Sequence, residues 1–174
     1  MRRYALAGAL VATITPALGA GAPDQLRNKT VTLSWTTSGR ATAADGTSKN
    51  YTNNNHRIIY ISSAGRPFLR AQLSGGRNSR GGERGPEDSG KGGGVSFDGG
   101  KLTGVETFSS GARQYTATFD GSYSSCTLSI VDAKAGNATI QRRGPDGIMY
   151  KADQVSTGAP SCSVQSGNAF SSGQ

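Results

Sequence analysis

Large apolar side chains are scarce in this chain. Ile, Leu, Val and Phe supply 28 of 174 residues, about 16%, below the roughly 20% at which disorder becomes a live possibility. The long apolar stripes of a helical bundle and the continuous runs of a doubly wound parallel sheet are both missing, which excludes those architectures. Histidine occurs once and cysteine twice, too few to build a zinc site of about four His, Cys or carboxylate ligands once the thiols are joined. No metal and no other cofactor is expected. C-x-x-C, G-x-S-x-G and a phosphate-binding glycine loop followed by Lys-Ser/Thr are absent, so redox thiol chemistry, the serine-hydrolase elbow and nucleotide binding lack their usual marks.

What is abundant is small and polar: Ser, Thr and Gly make up 63 residues. Residues 1–20 pair Arg2 and Arg3 with a short apolar stretch from Tyr4 to Leu18, followed by Gly19 and Ala20. That is the pattern of a secretory signal peptide, too short and too broken by Thr13, Thr15 and Pro16 to span a bilayer. The cleavage site is not sharp, since a cut after Ala20 places Leu18 where a smaller residue is usual and a cut after Ala22 puts Pro23 next to the scissile bond; a periplasmic or secreted protein is expected. Export gives Cys126 and Cys162 a structural meaning, since an oxidising compartment favours joining them. The chain carries a net +8, and removing Arg2 and Arg3 leaves +6. This balance favours anionic partners, among them acidic glycans and lipopolysaccharide.

Past a short leader at 21–28, alternation becomes the rule. Val31, Leu33 and Trp35 share one face of a strand whose other face is Thr and Ser, the signature of a half-buried sheet. Residues 40–55 read as a polar connection. Arg57 to Ile61 and Pro67 to Leu73 flank Ser63-Ala64-Gly65 as a hairpin, and Gly99-Gly100 marks a tight one between Val95–Asp98 and Lys101–Phe108. Tyr115, Ala117 and Phe119 form one face of a further strand, and Cys126, Leu128 and Ile130 form another; short strands follow at 138–142, 148–151 and 162–165. The expected fold is all-β: a small antiparallel barrel or sandwich of about eight to ten short strands with one disulfide, a single domain at 29–165. Residues 74–94, with nine glycines between Ser74 and Gly94, read as a flexible inserted loop, and 166–174 as a disordered tail. Arg80-Gly81-Gly82 resembles RGG-type tails, but without interleaved aromatics it carries no specific nucleic-acid binding.

Candidate sites are few. Trp35, Tyr60, Phe97 and Tyr115 are placed to line a ligand cavity or fill a core. Arg57, Arg66, Arg70, Arg113, Arg142 and Arg143 are candidates for an anion-binding face. His56 and Glu106 are the residues a small hydrolase would use, Glu106 being the one acid on an alternating strand, with its facing undecided; no catalytic set is assembled around either. Val31-Thr32-Leu33-Ser34-Trp35, Tyr60-Ile61-Ser62-Ser63-Ala64-Gly65-Arg66-Pro67-Phe68, Tyr123-Ser124-Ser125-Cys126 and Ser161-Cys162-Ser163-Val164-Gln165-Ser166-Gly167-Asn168 resemble segments of small exported proteins of soil alphaproteobacteria. The resemblance implies export and transfers no activity. The Trp35 strand also resembles that of lipocalins, whose Gly-x-Trp is here Leu33-Ser34-Trp35, and no ligand is carried over. The expected function is an exported, non-enzymatic β-domain binding a ligand, an anionic glycan or a partner protein. A cell-surface or matrix component and a small secreted hydrolase are the alternatives.

Overall fold

The computed structural model describes residues 21–74, 87–88, 95–108, 111–134, 140–143 and 146–170; for 72–74, 87–88, 107, 108, 111, 133, 134, 140–143 and 152–155 it describes the backbone alone. The expected signal peptide at 1–20 and most of the Gly-rich loop at 74–94 lie outside these residues.

The described chain is nearly all β. It forms β1 (Lys29–Ala43), β2 (Ser48–Ile61), β3 (Pro67–Ser74), β4 (Glu87–Asp88), β5 (Val95–Asp98), β6 (Lys101–Phe108), β7 (Gly111–Phe119), β8 (Cys126–Lys134), β9 (Ile140–Arg143) and β10 (Met149–Ser166), after a single 3-10 turn at Asp24–Leu26. No described helix is long and apolar enough to cross a membrane. Six strands make one sheet in the order β4-β3-β2-β1-β10-β9, and four make the other in the order β5-β6-β7-β8. All ladders are antiparallel. Each joins neighbours in the sequence except β1 with β10, which brings the two ends of the domain together. The curled sheets make a half-barrel.

Alternation works as the sequence implies. Val31, Leu33 and Trp35 from β1, Ile59 and Ile61 from β2, Leu102 from β6, and Tyr115, Ala117 and Phe119 from β7 are buried together with Phe97. The β5–β6 turn has positive φ at both Gly99 and Gly100 (48° and 79°), the backbone a two-residue hairpin needs to match the twist of its strands. Cys126 and Cys162 are bonded, with Cα atoms 5.4 Å apart. This bridge fastens β8 to β10, two strands that lie side by side without a described ladder between them. At the other end of the same seam Thr157 Oγ1 donates to Asp132 Oδ2 at 2.8 Å.

Four expectations are corrected. The polar connection at 40–55 is mostly strand: β1 and β2 face each other from Lys29↔Ile61 to Thr42↔Ser48. The Asn run sits in the ladder because the Asn55 amide donates to Thr37 Oγ1 at 3.1 Å and to the Trp35 carbonyl at 3.4 Å, so a buried polar side chain is satisfied in place. The strands at 148–151 and 162–165 are one long β10. It absorbs Ala159 and Pro160 through a register shift opposite Ser34/Thr36, with a second shift opposite Ser38/Arg40, and Ala159 has φ 48°; an extra residue bulged out of the ladder spares Pro160 from donating an N–H. The leader contributes to the core, with Leu26 fully buried and Ala22 nearly so. The tail is pinned as far as Phe170, by hydrogen bonds to Asn28 and Thr30.

Candidate functional site

On β2 the inward residues are Asn55, Arg57, Ile59 and Ile61, so a cation projects from an apolar stripe. A guanidinium with only 9% of its side chain exposed needs a charged, hydrogen-bonding partner. The opposite sheet supplies one. Inward positions on β6 are Leu102, Gly104 and Glu106, while Val105 points out and is exposed. Glu106 takes Arg57 in a two-pronged pair, one prong being Arg57 Nη2 to Oε2 at 2.9 Å. Arg57 Nη1 also donates to the His56 carbonyl at 2.8 Å.

The same inner row continues along the smaller sheet as Glu106↔Arg113 and Arg113↔Asp132. Arg113 grips Asp132 through Nε at 2.6 Å and Nη2 at 3.3 Å. Burial works against the Asp132 carboxylate, but hydrogen bonds from Arg113 and Thr157 and the Arg113 charge outweigh it and hold its pKa below the usual range. Two cations and two anions thus balance in a lattice joining β2, β6, β7, β8 and β10.

Trp35 lies within this lattice. The Arg57 and Arg113 guanidiniums stand 5.0 and 5.6 Å from its ring centroid, and Tyr115 stacks on it at 6.1 Å. Cation–π attraction of this kind strengthens when desolvated. The Trp35 indole N–H is buried with no acceptor among the described residues. Burial raises the Tyr115 phenol above its ordinary pKa, with the Glu106 charge adding to the rise and Arg57 opposing it. Tyr115 lies flat across its strand partner Gly104, where a Cβ would come within 2.0 Å of the ring, so the site requires glycine.

The residues read from sequence as one cavity or one face separate. Trp35, Phe97 and Tyr115 are packed in the core at 2%, 5% and 1% exposure. Tyr60 is on the outer face, stacked with Phe68 and edge-on to Phe170. Of the arginines, Arg57 and Arg113 turn inward into the lattice, Arg66 is exposed at the β2–β3 turn, and Arg70 lies on the outer face over Phe170. The side chains of Arg142 and Arg143 lie outside the described ones, although β9 places their backbones opposite Tyr150 and Met149. His56 is also on the outer face, its Nδ1 2.9 Å from Ser34 Oγ. Among the described residues no three His, Cys, Asp or Glu side chains group as metal ligands.

Past the lattice the larger sheet continues as Ser38–Ala43 of β1 beside β2 and the start of β10. There Lys49 Nζ meets Asp146 Oδ2 at 2.5 Å and stands 4.6 Å over the Tyr150 ring. Tyr150 donates to the same carboxylate oxygen at 2.8 Å. The hydrogen bond from Lys49, with those from the Ile148 amide and Tyr150, lowers the Asp146 pKa to about 2. Comparison of the chain with protein-family models, curated proteins and solved structures found no match. The site is therefore read from its own geometry.

Neither the lattice nor the Lys49–Asp146 clasp was foreseen. The signal for the lattice was present: Arg57 shares parity with Ile59 and Ile61, and a cation on an inward stripe predicts an acid across the core.

Proposed function

We propose that this chain is an exported, non-enzymatic binding domain whose ligand is an anionic glycan, taken up at the open end of the half-barrel. The observation that carries the reading is where strand register gathers basic residues. Arg40 on β1, Lys49 on β2, Arg142 and Arg143 on β9 and Lys151 on β10 all belong to one end of the larger sheet. Arg40 and Lys151 are exposed. The acids at this end, Asp45, Asp146 and Asp153, leave a cationic excess of two by sequence. Arg40 and Lys151 share one face of this end, with Asn50 paired to Arg40, and offer charge for carboxylate or sulfate groups and an amide for sugar hydroxyls.

Enzymatic readings lose support on the same geometry. Glu106 is committed to Arg57, Asp132 to Arg113 and Thr157, and His56 faces away from both with only Ser34 on its Nδ1. Export is supported by the N-terminal pattern and by the Cys126–Cys162 bond, which persists in an oxidising compartment.

Thermal-shift assays on the oxidised protein with heparin, polygalacturonate and lipopolysaccharide test the reading. At least one should raise the melting point by several degrees, since a ligand that binds only the native state stabilises it. The gain should shrink with added salt and disappear in Arg40→Glu/Lys151→Glu. A melting point unmoved by all three probes, or moved equally in the variant, would sink the proposal.

A further inference from the structure

The cationic end of the larger sheet also leaves apolar side chains in water. Among the described residues the exposed large hydrophobics are Val105, Val131, Ile148 and Met149. Val105 and Val131 are kept apart by Gln114 in their cross-strand row. Ile148 and Met149 are consecutive, at 40% and 44% exposure, and a chain this poor in large aliphatics sets two of them side by side in solvent.

Hydrogen bonds hold them there. Asp146 Oδ1 accepts from the Ile148 amide at 3.0 Å, while its Oδ2 takes Lys49 and the Tyr150 hydroxyl. Tyr150 is buried, and alternation along β10 then turns Met149 to the other face. Lys151 is exposed, and Met149 and Lys151 flank the inward Tyr150, so both lie on the outer face. Lys151 pairs with Thr42 of β1, which makes Arg40 its diagonal neighbour on the same face, about 7–8 Å away. One acid, Asp153, stands opposite Arg40 in that ladder. Asp146 is already taken by Lys49.

An apolar pair thus borders a cationic pair. A free polysaccharide would leave Ile148 and Met149 in water, and a neutral bilayer would give Lys151 and Arg40 no counter-charge. An amphiphile with an anionic head satisfies both, since basic side chains are drawn to an anionic membrane surface and apolar ones gain by leaving water. Resting on the reading of this end as a glycan site, we propose that its ligand is lipid-linked: an anionic glycolipid in a membrane surface. Ile148 and Met149 seat at its acyl chains, and Lys151 and Arg40 at its charged head group.

The test titrates the oxidised protein with phosphatidylcholine vesicles carrying lipopolysaccharide, and separately with the fully deacylated oligosaccharide of the same lipopolysaccharide. Ile148→Ser/Met149→Ser should weaken vesicle binding at least tenfold and leave oligosaccharide binding unchanged. A tenfold loss corresponds to about 1.4 kcal/mol, within what withdrawing two such side chains from water supplies. It should persist in added salt, which screens only the head-group contacts. Ile148→Leu/Met149→Leu should keep both affinities, and both pairs, being exposed, should keep the melting point. Vesicle binding that the serine pair leaves intact overturns the acyl contact; oligosaccharide binding lost in Arg40→Glu/Lys151→Glu would then still uphold the glycan reading. Equally tight binding to phosphatidylglycerol vesicles overturns the glycolipid in favour of a bare anionic lipid surface. Binding to neither the vesicles nor the oligosaccharide overturns the glycan reading and the lipid-linked ligand together.

Discussion

Replacing Glu106 with Ala is the sharpest test of the lattice. The change leaves the Arg57 guanidinium facing the apolar core with its two-pronged partner gone, and only 9% of that side chain reaches solvent. Breaking a buried ion pair from one side costs about 3–5 kcal/mol, because the remaining charge is uncompensated. Arg57 keeps its bond to the His56 carbonyl and its place over Trp35, and Glu106 is itself 18% exposed. The lower end, about 3 kcal/mol, is therefore the expected loss. Against a total stability of roughly 5–15 kcal/mol, this corresponds to a melting point lower by about 6–12 °C for a chain of this size.

The double variant Arg57→Leu/Glu106→Leu removes both charges and should be clearly more stable than Glu106→Ala, since apolar replacements of a buried pair are often neutral. Urea unfolding of the oxidised protein measures all of these, with Trp35, the sole tryptophan, reporting from inside the lattice. The coupling energy follows from the cycle formed with Arg57→Leu and Glu106→Leu. A Glu106→Ala cost below about 1 kcal/mol, or single-variant costs that simply add, would refute the claim that this pair closes the core.

Other outcomes follow from neighbouring features. Cys126→Ser/Cys162→Ser should lose about 4 kcal/mol on the chain-entropy model for a loop spanning 36 residues, read as a large drop in urea midpoint that added reductant reproduces in the unaltered protein. Gly104→Ala should destabilise by about 3 kcal/mol or more, at or beyond the upper end of ordinary overpacking, because its Cβ meets the buried Tyr115 ring; Gly104→Ala/Tyr115→Leu should recover much of the loss in the same melts. Asp146 has a folded pKa of about 2 against about 3.9 unfolded. Its contribution is present above about pH 4 and lost as pH falls toward 2, so the melting-point gap between unaltered protein and Asp146→Asn should narrow across that window. A gap that does not change from pH 6 to 2 would contradict it.

How much of this the sequence discloses depends on the range of the interaction. Period-2 alternation is local, so the inward stripes Val31-Leu33-Trp35 and Tyr115-Ala117-Phe119 were legible, as was the Gly99-Gly100 turn, whose backbone demand falls on two adjacent residues. The Cys126–Cys162 bridge was legible because only one pairing exists. Composition misled where tertiary contacts satisfy polar groups. Asn53-Asn54-Asn55 reads as irregular chain until the Asn55 amide finds Thr37 and the Trp35 carbonyl from the paired strand, and the strands at 148–151 and 162–165 read as separate until β10 bulges at Ala159 and Pro160. The candidate sites failed for a related reason: six arginines on a line carry no information about facing. Parity was the missing step. Arg57 lies two residues from Ile59 and four from Ile61 on one strand, so any sheet that buries those isoleucines must turn Arg57 inward. Glu106 lies two from Gly104 and four from Leu102, with Val105 between them taking the outer face. Once both parities are assigned, opposite charges meet across a core too poor in aliphatics to leave either unpaired. The lattice fits the chain's shortage of large apolar residues: the level of the half-barrel that would otherwise hold another leucine or isoleucine is built from Arg57 and Glu106 beside Trp35, with Arg113 and Asp132 carrying the charge pattern on to the solvent edge.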